Sequence, residues 1–326
     1  MRFGSYPTST LGTNFLGKEL GMHGYNYRWS EKDGIAYACR GGHIDVIHVR
    51  IAADWAAYLA AKSFRHLMRH DSEFSYPFNV ESSTYFVQLS YPGNWESLAE
   101  DQRESIARDV SIRLGEYLAY TTTTWHEILT WFGFKCLVFF PEFPSAFSWE
   151  DSYSNLLGAR IGAEALRDTE HSYDQAVSLL IDREMEKLGI QSAEVARAAS
   201  EKVKGTWFTG AMLFLVDMRK RNFDIGVDDG YSTPTLVPGI GECEGAEPQS
   251  YPAPSLDFLS QYGFSMKLEI EPRVWESGKI LSVAYADSKT RGQRIEPAIH
   301  FGVIMDWIKK DAVRRYGSDA ASGSLK

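Results

Sequence analysis

The sequence predicts an α+β fold, predominantly α-helical, with a few short strands. Helical spacing of apolar residues dominates 43–220 and returns at 297–316, while strict alternation marks 83–91. A hydrophobic content of 44% over 326 residues is enough to fill a real core. No linker composition or internal repeat divides the chain, so a single domain over 1–326 is expected.

Residues 1–42 read as irregular apart from a short strand, GIAYACR at 34–40, which ends at Gly41-Gly42. An Ala-rich helix is expected from His43 to about Arg69. STYFVQLSY places Tyr85, Val87, Leu89 and Tyr91 on one side of a half-buried strand. A long helix follows from about Glu96 to Phe132, with a kink or wide turn expected within 121–125, at the four threonines. Four β-branched side chains restrict χ1, and their hydroxyls compete for carbonyls one turn back. The segment 134–144 reads as extended and is stopped by prolines.

A helix over 148–168 opens on Ser148 and Asp151, in the manner of a capping box. Its residues Ser154, Gly158 and Gly162 form a small face that admits a close neighbour. Further helices are expected at 172–188, 192–204 and 208–220. Glycine, proline and acids without periodicity make 221–255 a long loop, functional or mobile. A strand at 265–274, a helix at 297–316 and a disordered tail at 317–326 complete the reading.

Net charge is −9, with the basic residues scattered, which argues against a nucleic-acid partner. The 9 Trp, 17 Tyr and 18 Phe favour a core and a cleft for a small-molecule, peptide or glycan ligand. Three cysteines, Cys39, Cys136 and Cys243, are too few and too dispersed for a disulfide framework, and the odd count leaves a free thiol. The opening residues lack the charged and apolar regions of a signal peptide, as they would if a leader had been removed. The longest apolar run, 207–216, is too short to span a bilayer.

Three blocks carry chemistry. GGHIDVIHVR presents His43, Asp45 and His48; an acid and a histidine three apart share a helix face and can hold a metal. His43 joins them only if it precedes the first regular turn, because five residues rotate an ideal helix by about 140° relative to the start. The bland alternative is a helix-start aspartate and an interior histidine. TWHEILTWFG sets His126 and Glu127 in an apolar turn beside Trp125. The zinc-protease helix signature fails there, since Thr130 stands where the second histidine belongs. A buried Glu127 needs a partner, a proton or a cation, and an arginine such as Arg50 would serve. PEFPSAFSWEDSYSNLLG supplies Glu142, Trp149, Glu150, Asp151 and Asn155. Asp151 fits a cap, whereas Asn155 among leucines needs polar partners. DIGVDDG does not fit a calcium loop, and GIGECEG does not fit a dinucleotide fingerprint, so no nucleotide cofactor is expected.

Together, CRGGHIDVIHVRIAADW, TWHEILTWFG and PEFPSAFSWEDSYSNLLG resemble an uncharacterised bacterial family, domain of unknown function 4056. The resemblance implies exported, envelope or lipoprotein-type relatives and brings no assigned catalytic residues. It would place the protein in the periplasm or cell envelope if a leader has been removed, and otherwise in the cytoplasm.

The chemistry expected from the residues is a metal-dependent hydrolase, zinc foremost, acting on a peptide or cell-wall fragment. His43, Asp45, His48 and His126 are the candidate ligands, and Glu127 or Glu150 the base. Asp151, Asn155, Trp125 and Trp149 are candidate substrate or supporting contacts. The rival is a non-catalytic envelope binding protein in which the same residues form a buried polar network.

Overall fold

The structure, a computed structural model, describes residues 4–24, 31–78, 81–136, 140–141, 145–212, 215–286 and 292–320. In chain order the strands and helices are β1 (Ile35–Ala38), β2 (Gly42–Asp45), α1 (Val46–Met68), β3 (Glu73–Phe78) and β4 (Ser83–Ser90). Next come α2 (Glu100–Trp131), β5 (Lys135–Cys136), β6 (Phe140–Pro141), α3 (Asp151–Ala165), α4 (Tyr173–Leu188) and α5 (Ala193–Val203). The remainder are β7 (Phe208–Thr209), β8 (Asp217–Met218), β9 (Tyr231–Ser232), β10 (Tyr251–Pro252), β11 (Ser265–Pro272), α6 (Ser277–Ala284) and α7 (Pro297–Tyr316). The predominantly helical α+β class is therefore observed. No helix among the described residues is long and apolar enough to cross a membrane.

The stretch read as one domain contains no linker, yet it groups into two compact units built from interleaved segments. The first takes residues 1–54, 144–253 and 309–326; the second takes 55–143 and 254–308.

In the first unit, β1 and β2 pair antiparallel, setting Tyr37 opposite His43 and Ile35 opposite Asp45. The strand read at 34–40 is present, but His43–Asp45 belong to β2 rather than to the helix that follows. All four residues of β2 are buried, and pairing with β1 satisfies backbone groups that a helix start would leave open. Helix α3 approaches α1 closely at Gly158, as its small face predicts. A Cβ at 158 would lie 2.2 Å from the Val49 carbonyl oxygen and 2.7 Å from the Ala52 Cβ.

The helix expected at 208–220 is instead a hairpin, with Phe208 paired to Met218 and Thr209 to Asp217. Gly210 turns the chain at φ +120°, and Phe208 and Met218 are both fully buried. Those two side chains join Phe15, Tyr37 and Trp149 in the core of this unit. Cys39 and Cys243 form a disulfide, with their Cα atoms 5.0 Å apart across 204 positions. That Cα separation is ordinary for a disulfide, but the pair leaves no spacing signature in a sequence.

The second unit is built on an antiparallel sheet of order β11-β4-β3. β4 matches the alternation at 83–91, with Tyr85 and Val87 completely buried. Helix α2 runs unbroken from Glu100 to Trp131, so the kink expected at the four threonines is absent. All four are buried, which holds them in the helix through packing rather than local propensity. Thr123 donates to the carbonyls of Ala119 and Tyr120, at 3.2 and 3.0 Å, without breaking the helix, and Thr122 meets the Tyr76 hydroxyl at 3.2 Å. Of the expected tail, residues 318–320 form a short 3-10 turn, and 321–326 lie outside the described residues.

Candidate functional site

The end of β2, the start of α1 and the start of α3 bring four candidate residues of the first unit together. His48 lies one turn into α1, and its Nδ1 stands 3.1 Å from Asp151 Oδ1 and 3.6 Å from Asp45 Oδ2. Asp45 is fully buried and Asp151 nearly so, while the His48 side chain keeps 23% of its surface exposed. Each aspartate is fixed by backbone. Asp45 accepts from Ile47 N at 2.8 Å and from Ser5 N at 2.5 Å. Asp151 accepts from Ser148 N at 2.9 Å. The Asp45 amide donates to Ser154 Oγ at 3.0 Å, which ties β2 to α3.

Glu150 completes the cluster. Its Oε1 accepts from Ser148 Oγ at 2.7 Å, while Oε2 is buried with no hydrogen-bond partner among the described residues. Burial first, then the neighbouring Asp151 and Asp45, push the Glu150 carboxyl well above the ordinary value; Ser148 and His48 pull the other way. The environment of Glu150 thus favours its protonated form. Asp45 is also raised by burial, opposed most by His48. Behind the cluster, the buried Arg221 guanidinium donates to the carbonyls of Ala146 (2.6 Å) and Met218 (2.7 Å), which pins the loop before α3.

The proton on Glu150 has a thermodynamic consequence. Above the ordinary value of 4.5 the unfolded chain releases this proton while the folded protein keeps it. Stability accordingly falls as pH rises, until the folded group also ionises. Glu150→Gln, which mimics the protonated acid, is expected to gain stability relative to the parent as pH is raised above 4.5. Urea midpoints measured across pH check this; a difference that does not change with pH would count against it.

His43 does not join the cluster. Its Nε2 lies 3.1 Å from the Ala196 carbonyl, and its Nδ1 accepts from Trp149 Nε1 at 3.2 Å. Both ring nitrogens are thus engaged by protein, which leaves no lone pair for a metal. Burial lowers its pKa to about 4, so it is a neutral core histidine, with Trp149 as its partner rather than a substrate contact.

His126 belongs to the second unit, where its Nδ1 meets Glu81 Oε2 at 3.1 Å. Glu81 is completely buried and also accepts from the Tyr85 hydroxyl at 2.9 Å. Trp125 donates to Ser83 Oγ at 3.0 Å and stacks on Phe301, so it is core as well. Glu127 and Asn155 are buried on α2 and α3 respectively. Arg50, the suggested partner for Glu127, donates to the carbonyls of Leu20 and Gly21. Glu142 lies outside the described residues. Among the described residues, no group of three or more His, Cys, Asp or Glu side chains is arranged to hold a metal ion.

Sequence reasoning missed Glu81 and Arg221. Glu81 sits in the polar run VESST, which reads as a turn, and Arg221 opens the aperiodic segment. Neither position carries a motif. Their partners lie 45 and 75 residues away.

No curated protein and no solved structure matches the chain. Residues 14–232 match the family described as a protein of unknown function, DUF4056, a span that holds Asp45, His48, Glu150 and Asp151 alike, and the chain belongs to that family.

Proposed function

We propose that the protein is a hydrolase whose reaction is carried by His48, oriented by Asp151 and Asp45, with Glu150 as a protonated acid beside them. The observation that supports this reading is the placement of a partly exposed imidazole against two buried carboxylates, at 3.1 and 3.6 Å through one ring nitrogen. Carboxylates 3.1 and 3.6 Å from Nδ1 favour the Nδ1–H form electrostatically, which leaves Nε2 to take a proton, as a general base requires. In the reaction, Nε2 accepts a proton from water as the water oxygen attacks an acyl carbon. The proton then passes to the leaving group as its bond breaks, and the imidazole returns to its neutral form. Glu150 donates a hydrogen bond toward the developing charge.

This reading assigns no step to a metal, because both ring nitrogens of His43 are engaged by protein groups. The substrate class proposed is a peptide or cell-wall-like amide. The Cys39–Cys243 disulfide supports work in an oxidising compartment, in keeping with an exported protein.

The rival, a non-catalytic binding protein, also has a specific observation behind it. Asp45 and Asp151 both bind backbone amides at helix starts, so each has a structural duty. Chelator-treated protein screened against chromogenic peptides, amides and esters separates the two readings. Hydrolysis that survives the chelator and is lost in Asp151→Asn supports the enzyme. Hydrolysis that needs added zinc, or none in any class, would overturn it.

A further inference from the structure

The site already holds a piece of backbone. Gly4 is exposed, yet it packs on the edge of the His48 ring: a Cβ there would lie 2.3 Å from Nε2, 2.9 Å from Cε1 and 3.1 Å from Cδ2. Any side chain here would require the His48 ring to shift. The next residue, Ser5, points its amide inward and donates it to the buried Asp45 carboxylate at 2.5 Å. Neither contact belongs to a helix or a strand, since residues 4–6 have no regular structure.

From Pro7 onward the chain is anchored differently. Residues 7–10 are buried, Ser200 Oγ donates to the Pro7 carbonyl at 2.7 Å, and Leu11 N donates to the Ala211 carbonyl at 3.0 Å. Tyr6 packs against the core of the same unit, so the chain is held on the far side of this short arm, Gly4-Ser5, while its two residues cover the reactive nitrogen. A carboxylate as buried as Asp45 would be left a donor short if the arm departed without a replacement.

We propose that Gly4-Ser5 is a built-in occupant of the His48 site, lying where an extended peptide substrate places its own backbone, with a small residue opposite the imidazole. The inference rests on the hydrolase reading for the word substrate and extends it in two ways. It names a peptide backbone as the recognised chemistry, with Asp45 taking a substrate N–H. It also makes the arm a regulator, because substrate and arm compete for the same carboxylate and the same face of His48.

Access to His48 tests this without any assay of turnover. Acylation of His48 by diethyl pyrocarbonate, followed by peptide mapping, is expected to quicken by roughly tenfold when residues 1–5 are deleted, as loss of a hydrogen bond to a charged group implies. The point variant Ser5→Pro, which lacks the amide hydrogen, is expected to shift in the same direction, and it serves if the deletion fails to fold. A blocked hexapeptide with the sequence of residues 2–7, added to the opened protein, should restore protection. The same peptide with valine at the Gly4 position should not. Unchanged acylation in both variants, or no protection by the hexapeptide, overturns the proposal. Faster acylation and protection without hydrolysis of any peptide would instead retain the occupant and discard the hydrolase.

Discussion

His48→Asn is expected to lower turnover of whichever amide or ester the protein hydrolyses by about 10² to 10⁴, the range for removal of a general base. The substitution keeps a polar group on the partly exposed face of α1 but cannot carry the proton. Asp151→Asn probes the same step from behind. An amide opposite Nδ1 removes the negative charge that favours the Nδ1–H form, so the ring is released toward the wrong tautomer. Its effect should fall mainly on kcat, because Asp151 contacts the imidazole rather than the substrate. A structural network predicts something else: both variants would melt at lower temperature while each folded molecule kept its rate. Wild-type kcat/KM in His48→Asn, on folded protein, removes His48 from the chemistry.

The second large effect concerns the cross-link. Replacing Cys39 and Cys243 together by alanine is expected to cost up to about 5 kcal/mol of stability, since the bridge closes a loop of some two hundred residues. Other contacts hold the same strands and set this as an upper figure. The Gln249 amide donates to the Arg40 carbonyl at 2.9 Å, and Val237 N donates to the Tyr37 hydroxyl at 3.3 Å. Equilibrium unfolding in urea, with and without reductant, is the measurement. Parent and double variant should coincide once the parent is reduced. A parent midpoint that ignores reductant would show that the bridge contributes nothing.

Elements defined by their own residues were legible in the sequence. α4 begins at a Ser172 cap with Gln175 closing the box and ends at Gly189 in a left-handed conformation, so both boundaries are written locally. β4 announces itself through alternation, and α7 through its periodicity. The misread segments are those whose state depends on distant partners. His43–Asp45 extend because β1 is there to pair with them, and 208–218 folds back because Phe208 and Met218 reach a core assembled from elsewhere. The threonines stay helical because tertiary packing outweighs a propensity cost of a few tenths of a kcal/mol each, on the order of 1 kcal/mol together.

Asp45, His48, Glu150 and Asp151, which residue chemistry singled out, lie beside one another. The same reasoning grouped His43 and His126 with them because spacing cannot tell a core histidine from a reactive one. The arm at Gly4-Ser5 lies some forty residues from the carboxylate it touches, and no local pattern announces that contact.

The interleaving of the two units bears on how the molecule is made. A chain that emerges from the N-terminus presents residues 1–54 long before their partners at 144–253 and 309–320 exist. Cys39 must wait for Cys243, and β4 must wait for β11, its neighbour on one side of the sheet. Neither unit can be completed before residues beyond 253 have been made, since the second needs 254–308 and the first needs residues from 309 onward. A recombinant fragment cut to the family match, 14–232, would lack Cys243, β11 and the arm that covers His48. The two units thus share one schedule of synthesis, because each waits for residues beyond 253.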